Sequence, residues 1–154
     1  MLKKYSVVIA DTSCFILLSK IDQLDLLQKV FGSVSTTKEI AIEFKEPLPI
    51  WVIIQSAKNQ RYHQLLEIEV DKGEASAIAL ALEDEDSLLI LDDAKARTLA
   101  TSLNLDFTGT LGVLLKAKQL EVISNIKPLL EKIQKTNFRF SERILNDILK
   151  EANE

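Results

Sequence analysis

One stretch, Val7-Val8-Ile9-Ala10-Asp11-Thr12-Ser13, decides the fold of this chain. Four small or β-branched apolar residues run together and end in a carboxylate, which is typical of a strand that is buried on both faces in a parallel sheet. Asp11 would then stand at the carboxyl end of that strand, the edge of an open α/β sheet where ligands and catalytic groups collect. The stretch therefore predicts both a fold class and the position of a functional site.

A second stretch repeats this pattern, since Leu88-Leu89-Ile90-Leu91 is followed directly by Asp92-Asp93. Elsewhere, many apolar residues recur at helical spacing, whereas residues 55–66 are polar and weakly patterned. Before them, Trp51-Val52-Ile53-Ile54 is compatible with a short strand or a packed loop. The resulting order, β-α-α-β-α-(loop)-α-β-α-β-α-α-α, predicts an α/β fold, a three-layer sandwich with a mainly parallel central sheet.

Length and composition limit the class of protein. A chain of 154 residues, 47% apolar and 27% charged, predicts a single domain over residues 1–154 with a sizeable core. No apolar run approaches the roughly 20 residues that span a bilayer, and the run after the basic N-terminus is too short for a signal peptide. We therefore expect a cytoplasmic protein without membrane contact. A net charge of -4 argues against broad electrostatic attraction to nucleic acid.

The chain has one cysteine and one histidine. Cys14 closely follows Asp11 and is expected to be buried as a small hydrophobic side chain. His63 stands in a polar stretch and is expected to lie on the surface rather than to act as a ligand. This count excludes an internal disulfide and a Cys/His zinc site, and we find no Ser, His or Cys nucleophile system.

Five carboxylates from at least four separate elements form the candidate site: Asp11, Glu43, Glu74, Asp92 and Asp93. Packed together without a cation, they would destabilise one another, and some would be forced to take up a proton. A hard divalent ion removes this conflict, and oxygen ligands suit Mg²⁺ or Mn²⁺. Such an ion activates water and stabilises charge on a phosphate, so metal-assisted hydrolysis is the leading reaction class.

These acids also have explanations that involve no site. Glu74 would complement the dipole of the helix that it opens. Glu39 and Glu43 lie one turn apart on a short helix, where like charges favour a solvated face over a shared cation. The pattern of acids alone therefore leaves open whether they bind a metal ion.

The order and spacing of several motifs resemble the PIN domain, and more closely its VapC-like branch with a Gly-Glu pair in mid-chain. The motifs are Val8-Ile9-Ala10-Asp11-Thr12-Ser13, Glu43-Phe44, Gly73-Glu74 with residues 75–81, Leu91-Asp92-Asp93 with Arg97, Gly109-Thr110-Leu111-Gly112-Val113-Leu114 with Ala117-Lys118, and Asn137-Phe138-Arg139-Phe140-Ser141. The resemblance spans nearly the whole chain apart from residues 47–68. As a departure, Thr36-Thr37 stands where the family often has proline before the second acid.

This resemblance implies a compact α/β sandwich whose acidic pocket binds Mg²⁺ or Mn²⁺ and which cuts single-stranded RNA as an endoribonuclease. Many relatives are toxins of toxin–antitoxin pairs, form homodimers and are inhibited by a small antitoxin protein. The implied metal ligands are Asp11, Glu74, Asp92 and Asp93. The family's fourth motif varies, so the choice between Asp92 and Asp93 stays open. Glu43 completes the implied catalytic acids, and Ser13 would hydrogen-bond to one of them and orient it.

Basic side chains that follow the fourth acidic motif are candidates for guiding the RNA backbone. They are Lys95, Arg97, Lys116 and Lys118. Each is equally compatible with a solvated surface position.

Other functions stay open. An aspartate-based phosphotransfer protein would use Asp11 as its nucleophile, but it would be expected to carry a second Asp where this chain has Ser13. A catalytically silent PIN-like binding module would keep the acids for folding or partner contact, and it would fail to bind Mn²⁺. A nuclease with a very narrow substrate would resemble an inert protein in a generic assay.

Overall fold

A sheet of parallel strands forms the centre of the molecule. The structure is a computed structural model, which describes residues 4–154. The strands are β1 (Val7–Ala10), β2 (Val34–Thr37), β3 (Val52–Gln55), β4 (Ser87–Ile90) and β5 (Asp106–Thr108). They form one five-stranded sheet in the order β3-β2-β1-β4-β5, and every neighbouring pair is parallel. The single domain over residues 1–154 stays a prediction, because residues 1–3 lie outside the described residues.

Helices connect and flank these strands, which confirms the predicted α/β class and parallel sheet. They are α1 (Thr12–Lys20), α2 (Leu26–Phe31), α3 (Lys38–Phe44), α4 (Gln60–Leu66), α5 (Lys72–Ala81), α6 (Ala94–Ser102), α7 (Thr110–Gln119), α8 (Lys127–Gln134) and α9 (Glu142–Glu151). Helix α5 packs across β1, β2 and β4 and contacts α3 and α4, while α7 contacts α1, α2 and α9. Among residues 4–154, no helix combines the length and the apolar character needed to cross a membrane.

The central position of β1 and β4 follows from their apolar sequences. Their register pairs Ile9 with Leu89 and Ala10 with Ile90, and all four side chains are fully buried. Burial of each large aliphatic side chain contributes about 1.5–3 kcal/mol. The backbone N–H of Asp11 continues the ladder by donating to the Ile90 carbonyl oxygen at 3.2 Å. Asp11 is thereby fixed at the carboxyl edge of the sheet.

The structure contains two elements that the predicted order did not include, β3 and α4. Strand β3 pairs with β2 at the edge of the sheet, and its Ile53 and Ile54 remain about half exposed. Helix α4 begins at Asn59, whose side chain accepts the backbone N–H groups of the first turn, and it packs on α5. Residues 47–68 therefore do not form one long loop but extend the sheet by a strand.

His63 is buried, so the expectation of a surface position is wrong. The residue is only 6% exposed. Its Nε2 lies 3.2 Å from the carbonyl oxygen of Lys72 and 3.3 Å from Oε1 of Glu67. His63 thus joins α4 to the first turn of α5, which carries one of the candidate acids.

Candidate active site

Asp11 is almost completely buried at the carboxyl edge of the sheet. It occupies the N-cap position of α1, but its side chain does not cap that helix, and the residue is 4% exposed. Burial raises the pKa of Asp11 to about 7, although the Thr12 backbone N–H opposes this shift in part. Neighbouring carboxylates raise the pKa further, and they belong to Asp71, Glu43 and Asp92. The carboxylates that act on Asp11 therefore come from α3, from the capping position of α5 and from the loop after β4.

Glu74 reaches the same edge from the first turn of α5. Asp71 caps this helix, because its Oδ1 accepts the Glu74 backbone N–H at 2.8 Å, and Glu74 Oε1 accepts the Asp71 backbone N–H at 3.3 Å. Burial raises the pKa of Glu74, and repulsion from Asp71, Asp11 and Asp93 raises it further. Asp71 was not among the predicted site residues. Its signal was the acid that precedes Glu74 by three residues, the spacing of a capping box.

Glu43 lies near the end of α3, against the first turn of α5. The Thr12 hydroxyl donates to Glu43 Oε2 at 2.8 Å. A Cβ added to Gly73 would lie 2.5 Å from Glu43 Oε1, so any side chain at position 73 would displace this carboxylate. The Gly73-Glu74 pair therefore contributes one acid and leaves room for another. The hydroxyl that contacts Glu43 belongs to Thr12 and not to Ser13. A role of Ser13 in orienting an acid stays a prediction.

Asp92 and Asp93 both follow β4, but they have different partners. Asp92 is half-buried and accepts two hydrogen bonds from Thr110, from the backbone N–H at 2.9 Å and from the hydroxyl at 2.6 Å. Asp93 is exposed and caps α6, because its Oδ2 accepts the Ala96 backbone N–H at 2.9 Å. Asp92 is therefore oriented by hydrogen bonds from the first residue of α7, whereas one carboxylate oxygen of Asp93 caps the N-terminus of α6.

Cys14 is fully buried near these acids, which confirms the predicted burial. Burial raises the pKa of its thiol, and the nearby carboxylates of Asp92 and Asp11 raise it further, while a hydrogen bond with Thr110 opposes the shift. The thiol is therefore protonated near neutral pH and does not supply a nucleophile.

Two of the predicted RNA-binding residues lie near the acidic edge. Lys95 is exposed in the first turn of α6. Arg97 is half-buried, and its Nε donates to the Leu91 carbonyl oxygen at 2.7 Å. A Cβ added to Gly109 would collide with Nη2 of Arg97 and would lie 2.9 Å from Oδ1 of Asp92. The guanidinium group and the Asp92 carboxylate are therefore both close to the Gly109 backbone.

Lys116 and Lys118 have different surroundings. The ammonium group of Lys116 lies over the rings of Tyr5 and Phe31, and burial lowers its pKa. Because Tyr5 precedes β1, this position is towards the amino end of the sheet, opposite the edge that carries the acids. Lys118 forms a salt bridge with Glu154 at 3.0 Å. The structure does not bring either lysine to the acids, and a role of these two side chains in guiding RNA stays a prediction.

The donor set fits a hard cation by its chemistry. Within residues 4–154, no group of three or more His, Cys, Asp or Glu side chains is already arranged to hold a metal ion. However, the candidate donors are all carboxylate oxygens, and burial followed by repulsion between them raises the pKa values of Asp11 and Glu74. A divalent ion would offset this repulsion. The residues present therefore fit Mg²⁺ or Mn²⁺, with side-chain adjustment on binding.

Comparison with known proteins gives one match. A family model described as PIN domain matches residues 7–154. No curated protein matches the chain, and no solved structure matches it. The matched range contains every acid of the candidate site.

Proposed function

Because the chain belongs to the PIN domain family, we propose that it is a Mg²⁺- or Mn²⁺-dependent endoribonuclease that hydrolyses phosphodiester bonds in single-stranded RNA. PIN domains have a nuclease-type fold, are generally nucleases and typically use divalent metals. The single observation that carries the proposal is Asp11, a carboxylate that is 4% exposed at the sheet edge and has the carboxylates of Asp71, Glu43 and Asp92 nearby.

The proposed metal ligands are Asp11, Glu74 and Asp92, with Asp93 replacing or assisting Asp92. When bound, the ion would supply an activated water and would stabilise charge on the phosphate. Thr110 holds both oxygens of Asp92 through its two hydrogen bonds, so this side chain is oriented in advance. One oxygen of Glu43 accepts from Thr12, and the other is proposed to take a proton from the attacking water.

The net charge of the chain is -4, so its surface as a whole does not attract RNA. Basic side chains near the acids would instead bind the phosphate backbone of the substrate. Lys95 supports this, since it is exposed two residues after Asp93. Arg97 is proposed to contribute through the Nη groups, since Nε is used on Leu91.

A finer part of the proposal concerns partners and cellular role. The chain would belong to the VapC-like branch with the Gly-Glu motif and act in the cytoplasm as the toxin of a toxin–antitoxin pair. A small antitoxin protein would cover the acidic pocket, and two copies would form a homodimer. Exposed apolar side chains at and before the edge strand β3 support a protein contact. They belong to Ile50, Ile53 and Ile54, and light scattering of Ile53→Lys beside the unsubstituted protein tests the homodimer.

The experiment that tests the nuclease is cleavage of a mixed single-stranded RNA by the purified protein. We expect cleavage with Mn²⁺, none with EDTA and none by Asp11→Asn. The matched control is Glu85→Gln, because Glu85 is an exposed acid in the loop before β4. Its activity should equal that of the unsubstituted protein.

Two results would point elsewhere. No cleavage together with no Mn²⁺ binding by calorimetry would contradict the enzyme and leave a catalytically silent binding module. A stable aspartyl-phosphate on Asp11 would favour the phosphotransfer protein. Mn²⁺ binding that Asp11→Asn removes, without cleavage of the mixed RNA, would keep the metal site and indicate a narrow substrate.

A further inference from the structure

A cavity of about 390 Å³ opens directly beside one of the candidate acids. Its walls come from the loop after β4, from α6, β5 and α7, and from α9 with the segment that leads into it. The lining residues that matter here are Asp92, Arg97, Phe107, Gly112, Phe140 and Ile144. A larger cavity of about 770 Å³ lies elsewhere, and its described lining includes none of the candidate acids.

We infer that this cavity holds one nucleobase of the RNA substrate. The inference rests on the proposed function and adds a base subsite to it. Because Asp92 belongs to both the acid cluster and the cavity wall, a base in the cavity would leave its own phosphate close to the acids. One ribose joins the two groups, so a single nucleotide spans both places.

Planar groups make the cavity suited to a base rather than to an aliphatic chain. The guanidinium group of Arg97 lies 5.4 Å from the centre of the Phe107 ring. Phe140 adds a second ring that is only half-buried. Proteins bind unpaired bases by stacking them on aromatic rings and on arginine planes. Phe140 belongs to the Asn137-Phe138-Arg139-Phe140-Ser141 motif, which the acid chemistry does not use.

Two glycine residues in the cavity wall, Gly109 and Gly112, lie so close to neighbouring side chains that no Cβ fits there. Gly112 lies in the first turn of α7, and a Cβ there would collide with the Thr108 hydroxyl oxygen. A Cβ on Gly109 would collide with Arg97 in the same way. Gly109 has a φ of -101°, which any residue adopts, so close approach rather than backbone conformation explains glycine at this position. The absent side chain at Gly109 therefore leaves room for Arg97 and Asp92, and that at Gly112 leaves room for Thr108.

The test measures whether one base of the RNA and the cavity depend on each other. The first probe is a fluorescein-labelled RNA of about eight nucleotides, a length within the range that single-strand-binding folds cover. The other probes are versions of this RNA, each of which lacks the base at one position. Binding is followed by anisotropy with Ca²⁺ in place of Mn²⁺, and gel electrophoresis checks that the RNA stays intact. We expect one abasic position to weaken binding to the unsubstituted protein about 10-fold, the effect of losing one stacked base.

The filling variant is Ile144→Trp, because Ile144 is 48% exposed at the cavity and tolerates a larger side chain. The variant should bind the intact RNA about 10-fold more weakly, and removal of the critical base should then have no further effect. Leu120→Trp is the matched control, since Leu120 is 44% exposed at the end of α7 and outside the cavity lining. It should bind like the unsubstituted protein.

A second variant, Phe140→Leu, removes the ring and keeps an apolar side chain. It should weaken binding about 5-fold, with an unchanged circular dichroism spectrum. Unchanged RNA binding in both Ile144→Trp and Phe140→Leu overturns the inference and is the result expected if an apolar side chain of a partner protein occupies the cavity. Undetectable RNA binding by the unsubstituted protein also overturns it.

The two proposals fail in different ways. Cleavage with Mn²⁺ by a protein whose cavity variants bind RNA normally leaves the nuclease and removes the base subsite. Base-dependent RNA binding by an unsubstituted protein that neither cleaves RNA nor binds Mn²⁺ leaves the base subsite and removes the nuclease.

Discussion

Asp71 and Glu74 cap the same helix reciprocally, because each backbone N–H donates to the carboxylate of the other residue, at 2.8 Å and 3.3 Å. This arrangement stabilises the start of α5. It also places the negative charge of Asp71 close to Glu74 and Asp11, and that charge raises the pKa values of both. One feature therefore stabilises local structure and increases repulsion in the acidic cluster.

Substitutions at Asp71 should separate these two effects. Asp71→Asn keeps a good N-cap and removes the charge, so the metal-free protein should unfold at the same or a higher temperature near neutral pH. Asp71→Ala loses the cap and should be less stable by about 0.5–2 kcal/mol. Thermal unfolding in EDTA measures both variants. Equal destabilisation by Asn and Ala would show that the charge of Asp71 does not strain the site.

The stability of the metal-free protein should decrease as the pH rises from about 5.5 to about 7, the upper part of the interval between the ordinary and the raised pKa of Asp11. Folding raises the pKa of Asp11 from its ordinary 3.8 to about 7, so across this interval the folded state holds a proton that the unfolded state has lost. The free energy of unfolding therefore falls with rising pH until Asp11 ionises. We expect a loss of about 1–2 kcal/mol, measured by urea unfolding in EDTA.

Asp11→Asn provides the control for this pH dependence. The amide does not titrate, so the variant should show a shallower slope and should be more stable than the unsubstituted protein at about pH 8. A slope that is identical in the two proteins would assign the pH dependence to other groups.

Metal binding should release protons, because Asp11 and Glu74 must ionise to act as ligands. Calorimetric titration of Mn²⁺ near pH 7 in buffers of different ionisation enthalpy measures this release. Saturating Mn²⁺ should also raise the unfolding free energy, by about 2.7 kcal/mol when the free ion is at 100 times its dissociation constant. Both effects should disappear in Asp11→Asn and persist in Glu85→Gln.

Gly109→Ala should destabilise the protein through Arg97. The new Cβ would collide with Nη2 of Arg97 and crowd Asp92, and such overpacking costs about 1–3 kcal/mol. Adding Arg97→Ala should recover part of this loss, so the two changes should be non-additive in urea unfolding. If the double variant instead shows the sum of the two single effects, contact between position 109 and Arg97 does not contribute to the free energy of unfolding.

The centre of the fold was predictable because its strands are apolar on both faces. Val7 to Ala10 and Leu88 to Ile90 are entirely apolar, and the acids that follow them therefore fall at one edge. The edge strand β3 lacks this signal. Its Ile53 and Ile54 are half exposed, so its apolar residues did not indicate a buried strand.

Individual partners in the site were less predictable, because they depend on contacts between separate elements. His63 lies among polar residues, and only the packing of α4 on α5 buries it. The bond from Thr12 to Glu43 and that from Thr110 to Asp92 connect residues 31 and 18 positions apart. Asp71 was an exception, since its capping pattern with Glu74 is local.

The pairing of β1 with β4 has a consequence for synthesis on the ribosome. Ser6 and Asp86, which meet where these two strands begin, are 80 residues apart. At about 5–20 residues per second, β1 would emerge on the order of 4–16 s before its central partner. During that interval β2 can pair with one edge of β1, while the other edge of β1 stays unpaired until β4 has been made. The nascent chain therefore cannot gather Asp11 and Asp92 until well over half of its length has been made, and Thr110, which orients Asp92, arrives later still.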